Sequence, residues 1–272
     1  CAEAQKDVVL TAPFIKAPVL NKLLSQLPDN VNLKCITRWR PEEILAGVSD
    51  LEVWSIIKTR PKSSLLLRPD LHAKFYRADT NCLVGSANLT ASALGWSNKP
   101  NLELLVALPV TTELRLFEIE LLAGCIQVDE SLFNQMSATV EAMRNHQVTP
   151  YVLELEKHAE DSSIQSVSSK IWIPRLRNPE DLYLAYSGQL KRLTTTSEEA
   201  ALYDLQALQL IPNLPKGAFD AYVGAILLQM PIIRQVDMFV ATPQRFGAVR
   251  DFLLSLPCSS SSDFNASYAW QT

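Results

Sequence analysis

No run of this 272-residue chain reaches the roughly 18 to 20 uncharged apolar residues that span a bilayer, so a membrane-crossing helix is not expected. The most apolar stretch, residues 221–233, is broken by Gln229 and Pro231 and is expected to be a buried helix. Cysteine is sparse. Cys1, Cys35, Cys82, Cys125 and Cys258 are odd in number and far apart, which fits neither a zinc-ligand pattern nor a disulfide framework. Reduced thiols in a cytoplasmic protein are the expectation. No charged-then-apolar leader is visible. The first residue is Cys1 rather than Met, which leaves room for a leader or a further domain upstream. No internal repeat is present. A strong charge excess is also missing: 25 Lys+Arg against 29 Asp+Glu gives −4, which does not advertise a polyanion binder. The distribution is uneven, however. Residues 1–110 carry 13 basic and 10 acidic side chains, whereas residues 111–272 carry 12 and 19. The N-terminal part is the basic part.

What is present is ordinary globular composition, 47% hydrophobic and 20% charged, in a length that suits one large domain or two modest ones. Strand-like and helix-like segments alternate along the first part. Strands are expected at residues 7–14, 32–39, 64–67 and 102–108, and helices at 18–27 and 50–58. Residues 72–77 and 82–85 form an apparent hairpin around Asp79-Thr80-Asn81. A short helix is expected over 89–94, with Asn88 as its N-cap and Gly95 ending it. Amphipathic helices follow at 113–123 and 131–146. Residues 159–169 are Ser-rich and suit a linker. Beyond them, a capping box at Thr196 opens a helix to about residue 210, a second helix covers 216–229, and Thr242-Pro243 opens a third to about residue 254. The fold class is therefore α/β: a mixed sheet flanked by helices over residues 1–147, followed by a mainly α-helical region over 148–272 whose role the sequence does not disclose.

The chemistry-bearing segment is residues 71–88, LHAKFYRADTNCLVGSAN. It holds His72-x-Lys74, Asp79, and Gly85-Ser86-x-Asn88, with Asn101-Leu-Glu103 downstream. Five such residue types at fixed positions arise by accident with odds on the order of one in ten thousand at average residue usage, so the pattern outweighs a coincidence. It resembles the signature of the phospholipase D superfamily, and the resemblance covers roughly the first 110 to 145 residues. Five residues separate Asp79 from Gly85, where the family commonly has six. Arg77 stands at a strand position that is more often apolar, where it meets solvent or substrate.

The resemblance implies a phospholipase-D-like sheet and a phosphodiesterase that uses neither metal nor cofactor. His72 attacks phosphorus and forms a phosphohistidine. Lys74, Asn88 and Ser86 stabilise the developing charge, together with backbone amides opening the helix after Asn88. Glu103 is the carboxylate that holds the imidazole tautomer. Asp79 and Gly85 are structural, shaping the hairpin. The family mechanism needs two histidines, and neither His146 nor His158 has a Lys two residues on. A homodimer that pairs two His72-Lys74 motifs supplies the second; a partner chain or unseen upstream sequence is the alternative. Arg38, Arg40 and Arg68 are weaker candidates for substrate contact, the first two because RWR mixes basic and aromatic side chains at a strand end. DNA is the expected substrate, with a restriction or phage-defence complex as the setting. Two alternatives stay open, a phospholipid phosphodiesterase and a non-catalytic DNA-binding or scaffold subunit.

Overall fold

The computed structural model describes residues 3–148 and 172–256. The chain divides into two compact units, Cys1–Pro150 with Gln229–Pro231 and Tyr151–Leu228 with Ile232–Thr272. In the first, β1 (Asp7–Thr11), α1 (Ala17–Leu24), β2 (Asn32–Thr37), α2 (Pro41–Leu45), α3 (Val53–Thr59) and β3 (Ser63–Leu67) build a parallel half-sheet. Then β4 (Phe75–Ala78), β5 (Asn81–Gly85) and β6 (Leu105–Pro109) run antiparallel beside β1. Two helices, α4 (Thr112–Ala123) and α5 (Glu130–Asn145), flank the short strand β7 (Ile126–Gln127), which pairs antiparallel with β3. The result is a mixed seven-stranded sheet in the order β6-β5-β4-β1-β2-β3-β7, with flanking helices.

The core explains this order. Val8, Val9 and Leu10 are all buried, so β1 is covered on both faces and belongs at the centre. On one face Val9, Ile36, Phe75 and Cys82 meet Leu114, Phe117 and Leu121 of α4, with the Phe75 and Phe117 rings edge to face at 5.6 Å. Burial falls away toward the β6 edge, where four of five residues are exposed. Arg77 on β4 is buried among these apolar groups. Its guanidinium pairs with Asp7 and, at 2.6 and 2.8 Å, with Glu118 of α4, and it donates to the Asp79 carbonyl. Burial alone would disfavour its charge, but the Glu118 and Asp7 contacts outweigh that and push its pKa further up. The expectation that Arg77 meets solvent or substrate is corrected by these contacts: it welds the hairpin to α4.

The second unit is helical in its described part: α6 (Pro179–Tyr186), a 3-10 turn (Leu190–Arg192), α7 (Thr195–Leu208), α8 (Lys216–Leu227), α9 (Pro231–Phe239, whose first residue is grouped with the first unit) and α10 (Phe246–Ser255). Tyr183, Tyr186 and Phe219 pack ring against ring. Asp204, almost fully buried, accepts the backbone N–H groups of Arg175 and Leu176 and so ties the entering strand of chain to α7. Helix α7 is capped by Thr194, not by a box at Thr196, and α10 is preceded by Arg245 rather than opened at Thr242-Pro243. The apolar stretch 221–233 is not one helix; it straddles α8 and α9, broken before Pro231. The Ser-rich stretch 159–169, His158, Cys1 and Cys258 lie outside the described residues.

Candidate active site

The motif sits where β3 leads into β4, at the carboxyl ends of the three parallel strands. His72 and Lys74 precede β4 rather than lying on it. The reason is the end of β1: Thr11 pairs with Phe75, and beyond it the chain turns through Pro13, which has no N–H to offer. One bond continues on the other side, from Gly85 N–H to the Lys74 carbonyl at 3.4 Å. His72 and Lys74 therefore lie outside the strand expected over residues 72–77, and strand alternation, which points residues two apart the same way, does not apply to them. Instead the Lys74 ammonium donates back to the His72 carbonyl at 3.0 Å. His72 is exposed and lines a shallow cavity of about 210 Å³ with Asp70, Ala73, Phe117 and Glu120 among its walls.

Two features hold this loop. Arg38, at the end of β2, donates to the Leu71 carbonyl at 3.1 Å and makes a two-pronged pair with Glu43 of α2. Burial raises the Glu43 pKa, and the Arg38 guanidinium offsets part of that rise. Arg68 grips Asp70 through two contacts and caps the end of α4 by donating to the Glu120 and Leu121 carbonyls at 2.8 and 3.2 Å. Its side chain occupies the space a Cβ at Gly124 would need. Arg38 and Arg68, weak candidates for substrate contact, are thus engaged in holding the segment that carries His72. Arg40 precedes α2 and is half-buried. Trp39 between them is fully buried, so the RWR segment presents no aromatic face.

Where the chain leaves β5, at the open end of the hairpin, Ser86, Glu103 and Asn101 come together. Ser86 Oγ donates to Glu103 Oε2 at 2.5 Å and accepts from the Leu104 N–H at 3.0 Å. Asn101 Nδ2 donates to the other Glu103 oxygen at 3.1 Å. Gly85 makes this possible: a Cβ there would lie 1.9 Å from the Leu104 carbonyl oxygen, so only glycine lets β6 come this close. Tyr76 on β4 donates to the Ala87 carbonyl at 2.6 Å and pins the turn between Ser86 and Asn88. Burial pushes the Tyr76 phenol up, and the nearby Glu103 carboxylate adds to that. Tyr76 was not singled out in the sequence; its place two residues beyond Lys74 on a strand was the available signal.

Asn88 does not cap a helix. Its Oδ1 accepts from the Phe14 N–H at 3.3 Å, which fixes the amide and turns the Nδ2 donors the other way. The expected helix over 89–94 is replaced by a hydrogen-bonded turn, because Leu89 spends its N–H on the Phe14 carbonyl and its C=O on the Lys16 N–H. Backbone amides opening a helix are therefore not part of the site. Asp79 is structural, and in a way the sequence did not disclose. It takes a left-handed conformation in the turn, and its carboxylate accepts the N–H groups of Gln5, Lys6 and Asp7 at 2.8 to 3.0 Å. Those bonds, led by that of Asp7, lower its pKa.

Among the described residues, no group of three or more His, Cys, Asp or Glu is placed to hold a metal, and no helix is long and apolar enough to cross a membrane. Cys35, Cys82 and Cys125 are free. Burial pushes the Cys35 thiol up to about 12 and the Cys125 thiol up to about 11, so neither is disposed to act as a thiolate.

No family model matches the chain, and no curated protein matches it. Solved structures with a partial likeness include the following two. NucT from Helicobacter pylori is 12% identical, with a TM-score of 0.38 over 47% of this chain and 85% of that one. TrmBL2, an archaeal chromatin protein described as showing a novel mode of DNA binding, is 16% identical, with a TM-score of 0.32 over 46% of each chain.

Proposed function

We propose that this chain is a phosphodiesterase of the phospholipase D type, acting on nucleic acid through a phosphohistidine at His72. The observation that carries the reading is that His72 and Lys74, which precede β4, Ser86 and Asn88, which follow β5, and Glu103, which precedes β6, share one end of the sheet. Attack by His72 forms an N–P bond as the P–O bond to the leaving alcohol breaks; a proton delivered to that oxygen completes the step, and water then releases the phosphate and frees the imidazole. Lys74, the Nδ2 donors of Asn88 and the Ser86 hydroxyl offset charge on the non-bridging oxygens. Glu103 uses two of its four acceptor positions on Ser86 and Asn101, leaving the others for an imidazole N–H.

A second histidine must protonate the leaving group, and we assign it to His72 of a second copy. Support comes from the rim of the site. Leu102 is fully exposed and Leu104 is 68% exposed, on either side of Glu103, and Val106 and Leu108 continue the apolar stripe along β6. Apolar side chains in a row on an edge strand suit burial against another protein. A copy docked on this stripe lies against the catalytic hairpin, since Leu104 is bonded to Ser86 through both its N–H and its C=O. The same leucines are the feature that favours a lipid substrate instead, for they could enter a membrane surface. Cleavage of DNA in excess EDTA by wild type and His72→Ala tests the main reading. Cleavage by wild type alone supports it; equal cleavage by both overturns the catalytic assignment. Headgroup release from phospholipid vesicles without DNA cleavage would favour the lipid reading.

A further inference from the structure

Next to the hairpin lies an aromatic–cation pair that the chemistry above does not use. Trp96 is 42% exposed, and the Lys22 ammonium stands 4.1 Å from its ring centroid. Both are fastened to the site. The turn that carries Trp96 closes with its N–H on the Ala91 carbonyl at 2.7 Å, and Gly95 supplies the left-handed φ of +71° that the reversal requires. Ser97 Oγ donates to Ser92 Oγ, and Asn101 N–H donates to the Ser92 carbonyl. Asn101 in turn holds Glu103, which holds Ser86. From the other side, Ile15 bridges to Leu89 and Lys16 N–H bonds the Leu89 carbonyl, fixing the start of α1, and with it Lys22, against the same turn. Lys99 is exposed within the loop.

An indole held partly out of water by a fixed loop, with the Lys22 ammonium over one face of its ring, offers its other face as a stacking platform for a flat ring, and ammonium groups at such a platform suit phosphates. In a duplex the base faces are already stacked on each other, so an unpaired base is the ring that fits. We propose that Trp96 stacks an unpaired nucleobase of a strand whose phosphodiester lies at His72, with Lys22 and Lys99 on flanking phosphates; the substrate class is single-stranded nucleic acid. This rests on the reading of the site as a nuclease. It also supplies the aromatic–basic surface that the RWR segment does not, because Trp39 is buried and Arg38 is engaged.

The test uses His72→Ala protein, which binds without turnover, and fluorescence anisotropy with labelled oligo(dT), oligo(rU) and a duplex. Adding Trp96→Ala is expected to weaken single-strand binding by at least about fivefold, the value of one stacked base, and to change duplex binding less. Trp96→Phe, which keeps a flat ring, is expected to restore most of the affinity and guards against misfolding. The dT and rU arms tell DNA from RNA. Unchanged single-strand affinity in Trp96→Ala, or no single-strand binding by the parent, overturns the proposal. Failure of the nuclease reading looks different: equal hydrolysis of a small aryl phosphodiester by wild type and His72→Ala removes His72 as nucleophile while the binding result stands.

Discussion

Replacing Arg77 by Met separates a structural arginine from a substrate-binding one. The side chain is 9% exposed and neutralises Glu118, itself 14% exposed, together with Asp7, which is 42% exposed. Removing one partner of a buried pair costs about 3–5 kcal/mol, because the other charge stays buried without its counterion. Here Asp7 can turn to water, so the lower end applies, about 3 kcal/mol. At about 2–4 °C per kcal/mol for a chain of this size, Tm should fall by about 6–12 °C. Urea denaturation and calorimetry measure it. The double variant Arg77→Met/Glu118→Met replaces the pair by apolar groups of similar length, and should recover most of the loss, since well-packed apolar residues are often as good as a buried ion pair. Single-turnover cleavage below the melting range should change little. A single variant with unaltered Tm and lost activity would refute this account and return Arg77 to the substrate.

Three further outcomes follow from the same geometry. Asp79→Asn should lower stability at neutral pH; because the folded-state pKa of Asp79 lies below its ordinary 3.8, the gap from wild type should hold above about pH 5 and close as pH falls through that lowered value, in denaturation series across pH. Gly85→Ala must push the Leu104 carbonyl aside, so it should cost about 2–3 kcal/mol in urea melts and reduce turnover through the displaced Ser86. Leu104→Asp, on an exposed position, should leave Tm near wild type while converting a dimer to a monomer in light scattering and abolishing cleavage; a stable, active monomer would refute the paired site.

The α/β class and the hairpin were legible because β-branched and leucine-rich runs alternate with helical spacing, and because the turn at Asp79 needs a residue that tolerates a left-handed backbone. Glycine at 85 was legible as a fixed position, but the close approach of the Leu104 carbonyl that demands it is a tertiary fact. The same applies to Arg77, Arg38 and Arg68: an arginine in sequence shows no distant partner, and the Glu118 carboxylate, the Leu71 carbonyl and the Glu120 and Leu121 carbonyls decided what each one does. The missing helix after Asn88 shows tertiary pairing overriding a local cap, since the Leu89 backbone found partners in Phe14 and Lys16. Trp96 went unnoticed because nothing in the sequence distinguishes an exposed tryptophan from a buried one; its glycine-closed turn and the lysine one helix away became neighbours only in the fold.

The central claim is that His72 forms a covalent bond to phosphorus. Wild-type protein, mixed with a labelled phosphodiester in excess EDTA and quenched within one turnover, should carry a phosphoryl adduct on His72 by mass spectrometry, and His72→Asn should carry none. Turnover in EDTA with no adduct on His72, at equal rates in both proteins, would contradict it.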